Sequence, residues 1–313
     1  MKKRTIIFVV IITITIIIIL VILLFGIFYF KNNEEPVINK TSEEKKNFTI
    51  IVLPDTQKYS QDYPEIFSSQ TQWIVDNKDE LNIQFVIHEG DLVDDSDKIE
   101  QWNNANKSLS ILDKNNVPYS VIRGNHDKET DLYKDYFPPE RFSDKGWWGG
   151  EYKNNTNNFQ LLTINKQDFL FINLDACPEE DEIKWADEIL TEYSDRKAVL
   201  TTHAYLNNET ERNVHVCDST EYIWELVKQH ENLQIVLCGH VHAEARRTDL
   251  NYAGKQVYQM LADYQDEENG GQGWLRILQF SPKENKIYVK TFSPYLNEYQ
   301  TDENSEFILE YEV

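Results

Sequence analysis

Five short apolar runs in this chain each stop abruptly at a cluster of carboxylate, amide and imidazole side chains, and this constrains the fold more than any other feature. Phe48–Leu53 leads into Pro54-Asp55-Thr56-Gln57, and Gln84–His88 into Glu89-Gly90-Asp91-Leu92-Val93-Asp94-Asp95. Tyr119–Ile122 leads into Arg123-Gly124-Asn125-His126-Asp127, Ala198–Leu200 into Thr201-Thr202-His203, and Gln234–Leu237 into Cys238-Gly239-His240-Val241-His242. Runs of this kind, bounded by Gly or Pro, predict buried strands. Helical patterns over Ser69–Asp79 and Lys98–Asn115 separate the early runs. Strand–helix–strand alternation implies crossover connections, which bring the polar clusters to the carboxyl edges of parallel strands.

Asp55, Gln57, Asp91, Asn125, His203, His240 and His242 offer oxygen and nitrogen donors at that edge, enough to hold two metal ions that share a carboxylate. Ions about 3.5–4 Å apart clamp a transferring phosphoryl group and generate a hydroxide nucleophile. One strand-end histidine is more often structural. Here four of the chain's seven histidines fall in such clusters, and that favours a metal centre.

The ordered set Asp55-x-Gln57, Gly90-Asp91-Leu92-Val93-Asp94, Gly124-Asn125-His126-Asp127, Thr202-His203 and Gly239-His240-Val241-His242 resembles the calcineurin-like metallophosphoesterase superfamily over about residues 48–295. The resemblance implies an α/β fold, a four-layer β-sandwich flanked by helices with ligands on strand-end loops. It implies a first metal on Asp55, Gln57, Asp91 and His242, and a second on Asp91, Asn125, His203 and His240, with Asp91 bridging. It also implies catalytic roles for His126, near the scissile phosphate, and for Asp127, which would orient it. The activity implied is hydrolysis of a small phosphoester, mono- or diester, by a bridging hydroxide. One position departs from the commonest pattern: Gln57 stands where Asp-x-His is usual. A neutral oxygen donor there leaves the site charge unchanged and shifts preference from Zn towards Mn, Fe or Mg, so that Mn, Fe and Zn all remain candidates. Gln57 either ligates directly or hydrogen-bonds a bound water. A catalytically weak surface binding protein that keeps the fold is the alternative from another class.

The N-terminus carries a different signal. Thr5–Phe30 is interrupted only by threonines and Gly26, and as a helix it would span roughly 39 Å at 1.5 Å per residue. That exceeds a hydrocarbon core of about 30 Å, so residues 5–30 are expected to be an uncleaved transmembrane signal anchor. A cleaved secretory signal fits less well, because the run is long and no small-residue cleavage pattern follows. Lys2, Lys3 and Arg4 precede the run, whereas Glu34 and Glu35 follow it. The positive-inside rule then leaves residues 1–4 as a cytoplasmic stub and places the body outside a single-pass cell membrane. Residues 31–47 read as a polar tether and 48–313 as one domain. The net charge is −22, with 53 acidic against 31 basic residues, and the basic N-terminal cluster makes the body more acidic still. No nucleic-acid partner is expected, since phosphate backbones are held by Lys and Arg.

Weaker signals remain. Trp147-Trp148-Gly149-Gly150 either stacks on a substrate or packs over the core, and packing is the simpler reading. Arg246 and Arg247 either touch a second phosphate or form a solvated pair, the simpler reading, and His88 reads as a core or outer-shell residue rather than a ligand. Asp94 and Asp95 suit capping or outer-shell bonding. The stretch Asn269–Trp274 reads as a flexible turn, and the alternating runs after Gln256 as strands completing the second sheet. Cys177 and Cys217 pair or stay free, and Cys238 belongs to a strand.

Overall fold

The computed structural model describes residues 19–22, 46–212 and 217–312. Apart from 19–22, which are helical, and 46–47, the segments read as anchor and tether lie outside the described residues. Among the described residues no helix is long and apolar enough to cross a membrane. The chain divides into two units, Met1–Glu44 and Lys45–Val313, and the second carries the fold that follows.

The first strand shows how the sequence builds the layers. In β1 (Phe48–Leu53) every residue is buried. Successive side chains point to opposite faces, so Phe48, Ile50 and Val52 enter one core and Ile51 and Leu53 another. A continuous apolar run is what a strand covered on both faces requires. β2 (Ile83–His88) and β3 (Tyr119–Ser120) follow β1 in parallel. After them come β4 (Trp148–Tyr152), β5 (Asn157–Ile164), β6 (Gln167–Leu174), β7 (Lys197–Thr202) and β8 (Leu233–Cys238). The remaining strands are β9 (Glu244–Leu250), β10 (Gln256–Ala262), β11 (Leu275–Ser281), β12 (Lys286–Ser293), β13 (Glu298–Gln300) and β14 (Phe307–Glu310).

Two seven-stranded sheets result. One runs β13-β12-β11-β1-β2-β3 with β14 beside β12, and the other runs β4-β5-β6-β7-β8-β10-β9. Phe85, Phe171, Leu237 and Phe280 belong to the core between the sheets. Helices α1 (Gln57–Asp62), α2 (Pro64–Asp76) and α3 (Ile99–Lys114) are on the first sheet's side, where Phe67, Trp102 and Leu109 share a core with Ile51 and Val86. On the second sheet's side, α5 (Glu180–Glu192) and α6 (Thr220–Gln229) supply Leu190 and Val227 to a core shared with Leu170 and Leu200, while the short α4 (Leu132–Tyr136) joins the first group. The order is helices, sheet, sheet, helices.

The expectation for the C-terminal strands needs correction. Only β10 enters the second sheet, parallel to β8, while β11–β14 extend the first. β11 pairs antiparallel with β1 and sends Leu278 and Phe280 into the inter-sheet core. Trp148 opens β4 and stacks on Phe142 at 5.3 Å, so the tryptophan pair packs in the core. Asn269–Gly273 is a tightly packed turn of left-handed residues. A Cβ on Gly271 would come within 2.5 Å of the Tyr59 hydroxyl, and Gly273 donates its N–H to that oxygen.

Cys177 and Cys217 form a disulfide with Cα atoms 5.6 Å apart, while Cys238 is a buried free thiol. The bridge closes a 40-residue separation, for which unfolded-state chain entropy corresponds to about 4 kcal/mol. Replacing both cysteines by alanine should lower the denaturant-derived unfolding free energy by about 2–4 kcal/mol. An unchanged value would show that the bridge does not constrain the unfolded chain.

Candidate metal centre

β1, β2, β3, β7 and β8 all end at the same edge, and the loops that leave them carry the polar clusters. Gly239 donates its N–H to the His203 carbonyl at 3.0 Å, and His240 donates its N–H to Asp55 Oδ2 at 3.2 Å, tying the two sheets' loops together. Gly124 must stay without a side chain: a Cβ there would lie 2.0 Å from Asp91 Oδ1.

His203 is the centre of the donor set. Its Nδ1 donates to the Glu89 carbonyl at 2.9 Å, leaving Nε2 as the free nitrogen. A backbone carbonyl commonly fixes a metal-binding histidine's tautomer in this way. Around Nε2 stand Asn125 Oδ1 at 2.9 Å, Asp91 Oδ2 at 3.2 Å and His240 Nδ1 at 3.2 Å. The donor atoms of Asp91, His203 and His240 all lie within 4.8 Å of one another. Gln57 donates its carboxamide to Asp91 Oδ2 at 3.2 Å, and Asp55 Oδ1 lies 3.6 Å from His203 Nδ1.

This arrangement concentrates charge and lone pairs without satisfying them. Asp55 Oδ1 and Gln57 Oε1 are buried acceptors with no donor among the described residues. Burial, reinforced by the carboxylates of Asp263 and Asp91, pushes the Asp55 carboxyl well above its usual range. Burial also raises Asp91, but the His203 imidazole outweighs it and holds the Asp91 carboxyl low. His203 is raised in return, the Asp91 charge overcoming its burial. Burial and the neighbouring His203 bring His240 down to about 4, so its imidazole is neutral at physiological pH. Orphaned acceptors, crowded carboxylates and the neutral His240 imidazole suit a divalent cation, which accepts lone pairs from all of them.

His242 stands apart from this group. Its ring is partly exposed, and Nδ1 pairs with Asp266 at 2.9 Å. His126 lies at the rim, with its backbone N–H on Asp91 Oδ1 at 2.9 Å and Nδ1 on the Asp94 carbonyl at 2.7 Å. Asp127, expected to orient His126, has its carboxylate engaged by backbone donors. The Asp127 carboxylate accepts the N–H groups of Gly124, Leu92 and Val93, at 2.8, 3.1 and 3.1 Å. It therefore joins the loops after β2 and β3, while the Asp94 carbonyl holds the His126 ring. Burial, followed by the Asp91 charge, lifts the Asp127 carboxyl to about 7.

The other sequence signals separate cleanly. His88 is a core histidine, with Nε2 on the Thr56 hydroxyl and Nδ1 accepting from Gly90. Asp94 pairs with Lys58 at 2.7 Å and accepts from Gln61. Arg246 lies over the Phe307 ring and Arg247 pairs with Asp249. Sequence reasoning missed Asp263, Gln265 and Asp266, which follow β10. The signal was present: like the other five runs, β10 leads into a polar cluster, Asp263-Tyr264-Gln265-Asp266.

Fold and donor set together define a layered α/β protein with a candidate metal centre at its strand ends. The sequence profile of the Calcineurin-like phosphoesterase family matches residues 48–244, and the chain belongs to that family. An uncharacterized Bacillus subtilis protein, YvnB, is 40% identical over 272 residues, 82% of this chain and 21% of its own length. A probable glycerophosphodiester phosphodiesterase from Arcobacter nitrofigilis, GpdQ, is 25% identical over 170 residues, 50% of this chain and 56% of its own. The chain thus spans about a fifth and little more than half of these relatives' lengths. A dimetal phosphatase from Danio rerio shares the fold with a TM-score of 0.56 at 13% identity, over 84% of this chain and 99% of that one.

Proposed function

We propose that the chain hydrolyses small phosphoesters with two divalent cations, Mn, Fe or Zn, on the outer face of a cell membrane. The observation that carries this reading is the convergence of Asp91, His203 and His240, with their donor atoms within 4.8 Å and Asn125 alongside. Asp55, Gln57, Asp91 and His242 would hold the first cation, and Asp91, Asn125, His203 and His240 the second. When bound, the cations would supply a hydroxide nucleophile at neutral pH and positive charge for the phosphoryl oxygens. The protein supplies orientation. The Glu89 carbonyl turns His203 Nε2 inward, and Gln57 and the His126 N–H fix the two Asp91 oxygens. With Nδ1 on the Asp94 carbonyl, His126 keeps Nε2 to pass a proton to the leaving oxygen. The glycerophosphodiesterase relative and the dimetal phosphatase neighbour support phosphate as the electrophile.

The test uses the purified full-length chain with para-nitrophenyl phosphate and its bis ester, with Mn(II) and with chelator. Hydrolysis should require the metal, and inert protein carrying two ions would sink the proposal. The hydrophobic segment 5–30 and its basic flank support the outward placement, as does the disulfide, since disulfides persist in oxidising compartments. Protease added to intact cells should remove the body, and a protected body would reverse the orientation.

A further inference from the structure

The loop that follows β10 contributes no member of the expected donor set, yet it touches two of them. Asp263 is 2% exposed and Gln265 7%. Asp263 donates its N–H to the Ala243 carbonyl at 3.0 Å, fixing the loop to the strand end that carries His240 and His242. Gln265 folds back on it: the Gln265 N–H reaches Asp263 Oδ1 at 3.0 Å and the Gln265 carboxamide reaches Asp263 Oδ2 at 2.9 Å. The same carboxamide nitrogen extends to Asp55 Oδ2 at 3.4 Å. Asp55 Oδ2 therefore receives two donors, from Gln265 and the His240 N–H, while its buried Oδ1 receives none. One residue further on, Asp266 holds Nδ1 of His242 at 2.9 Å, leaving Nε2 free.

We propose that Asp263–Asp266 is a positioning loop for the first cation: Gln265, braced by Asp263, turns Asp55 Oδ1 towards the ion, and Asp266 presents His242 Nε2. This rests on the dinuclear reading above. A carboxylate held at one oxygen, and an imidazole held at one nitrogen, each offer a single defined ligand atom. Outer partners of this kind change metal affinity by about 10–100-fold. The hydrogen bonds of Asn125 and of the His203 ring run to one another, to the Glu89 carbonyl and to His240, not to this loop, so the second cation should be spared.

The full-length chain, freed of metal with chelator, is titrated with Mn(II) and followed by metal content and electron paramagnetic resonance, which separates a coupled pair from a single ion. Gln265→Leu and Asp266→Ala are expected to weaken one of two Mn(II) ions about 10–100-fold, giving a single-ion spectrum with an unchanged melting temperature in chelator. Asp266→Asn, which keeps an acceptor for Nδ1, should restore the pair. Two variants that hold the coupled pair with wild-type affinity would overturn the proposal. So would loss of both ions with a lowered melting temperature, which marks a structural role. If the wild-type chain binds no pair, the dinuclear reading itself fails, a result distinct from a wild-type pair unaltered in the variants.

Discussion

Asp91→Asn is expected to abolish metal-dependent hydrolysis, with a loss exceeding the roughly 10²–10³-fold that removing one electrostatic donor costs. Asp91 is 1% exposed, and each of its oxygens is engaged: Oδ1 accepts the His126 N–H, and Oδ2 faces His203 and Gln57. Asparagine preserves the volume but removes the charge, and its NH₂ would confront either a backbone N–H or the Gln57 carboxamide. It also removes the carboxylate expected to serve both cations. Metal content and bis-para-nitrophenyl phosphate hydrolysis should fall together. Retained activity with Mn(II) would sink the assignment of this edge as the reactive centre. The apo fold should survive, because the three N–H groups that join the two loops are held by Asp127.

The strands that meet at this edge were legible because they are buried on both faces. Phe48–Leu53 is the strand as read, and the runs at Gln84, Ala198 and Gln234 differ by a few residues at their ends. The third run is shorter than its apolar stretch suggests. The Val121 carbonyl is taken by the hydroxyl of Tyr133 and the carboxamide of Asn158, leaving the ladder at Ser120. β5 and β6 were not legible. Asn157, Asn158, Gln160 and Asn173 are buried in them and bond to one another or to Glu182, which breaks the apolar alternation. At the site, residues in short motifs were readable because motif order carries information. The contacts that orient them were not, since the partner of His203 is a backbone carbonyl and that of Asp55 lies 210 positions away.

His126 separates the chemistry from the metal. His126→Ala removes the ring and leaves the backbone N–H on Asp91 Oδ1, so metal content should stay at the wild-type value. Its side chain is 40% exposed, and Nδ1 is committed to the Asp94 carbonyl, which leaves Nε2 at the rim. A positioned proton donor contributes about 10²–10⁴-fold. The turnover loss should therefore fall in that range for an alkyl phosphoester, whose leaving oxygen needs a proton. It should be much smaller for a para-nitrophenyl ester, whose leaving group departs as an anion. Rates for the two substrate types, measured alongside metal content, give the answer. An equal loss for both would remove the proton-donor role and leave His126 binding the phosphoryl group. Loss of metal would instead make it a ligand, and with it the division of labour between the buried donors and the rim histidine would fall.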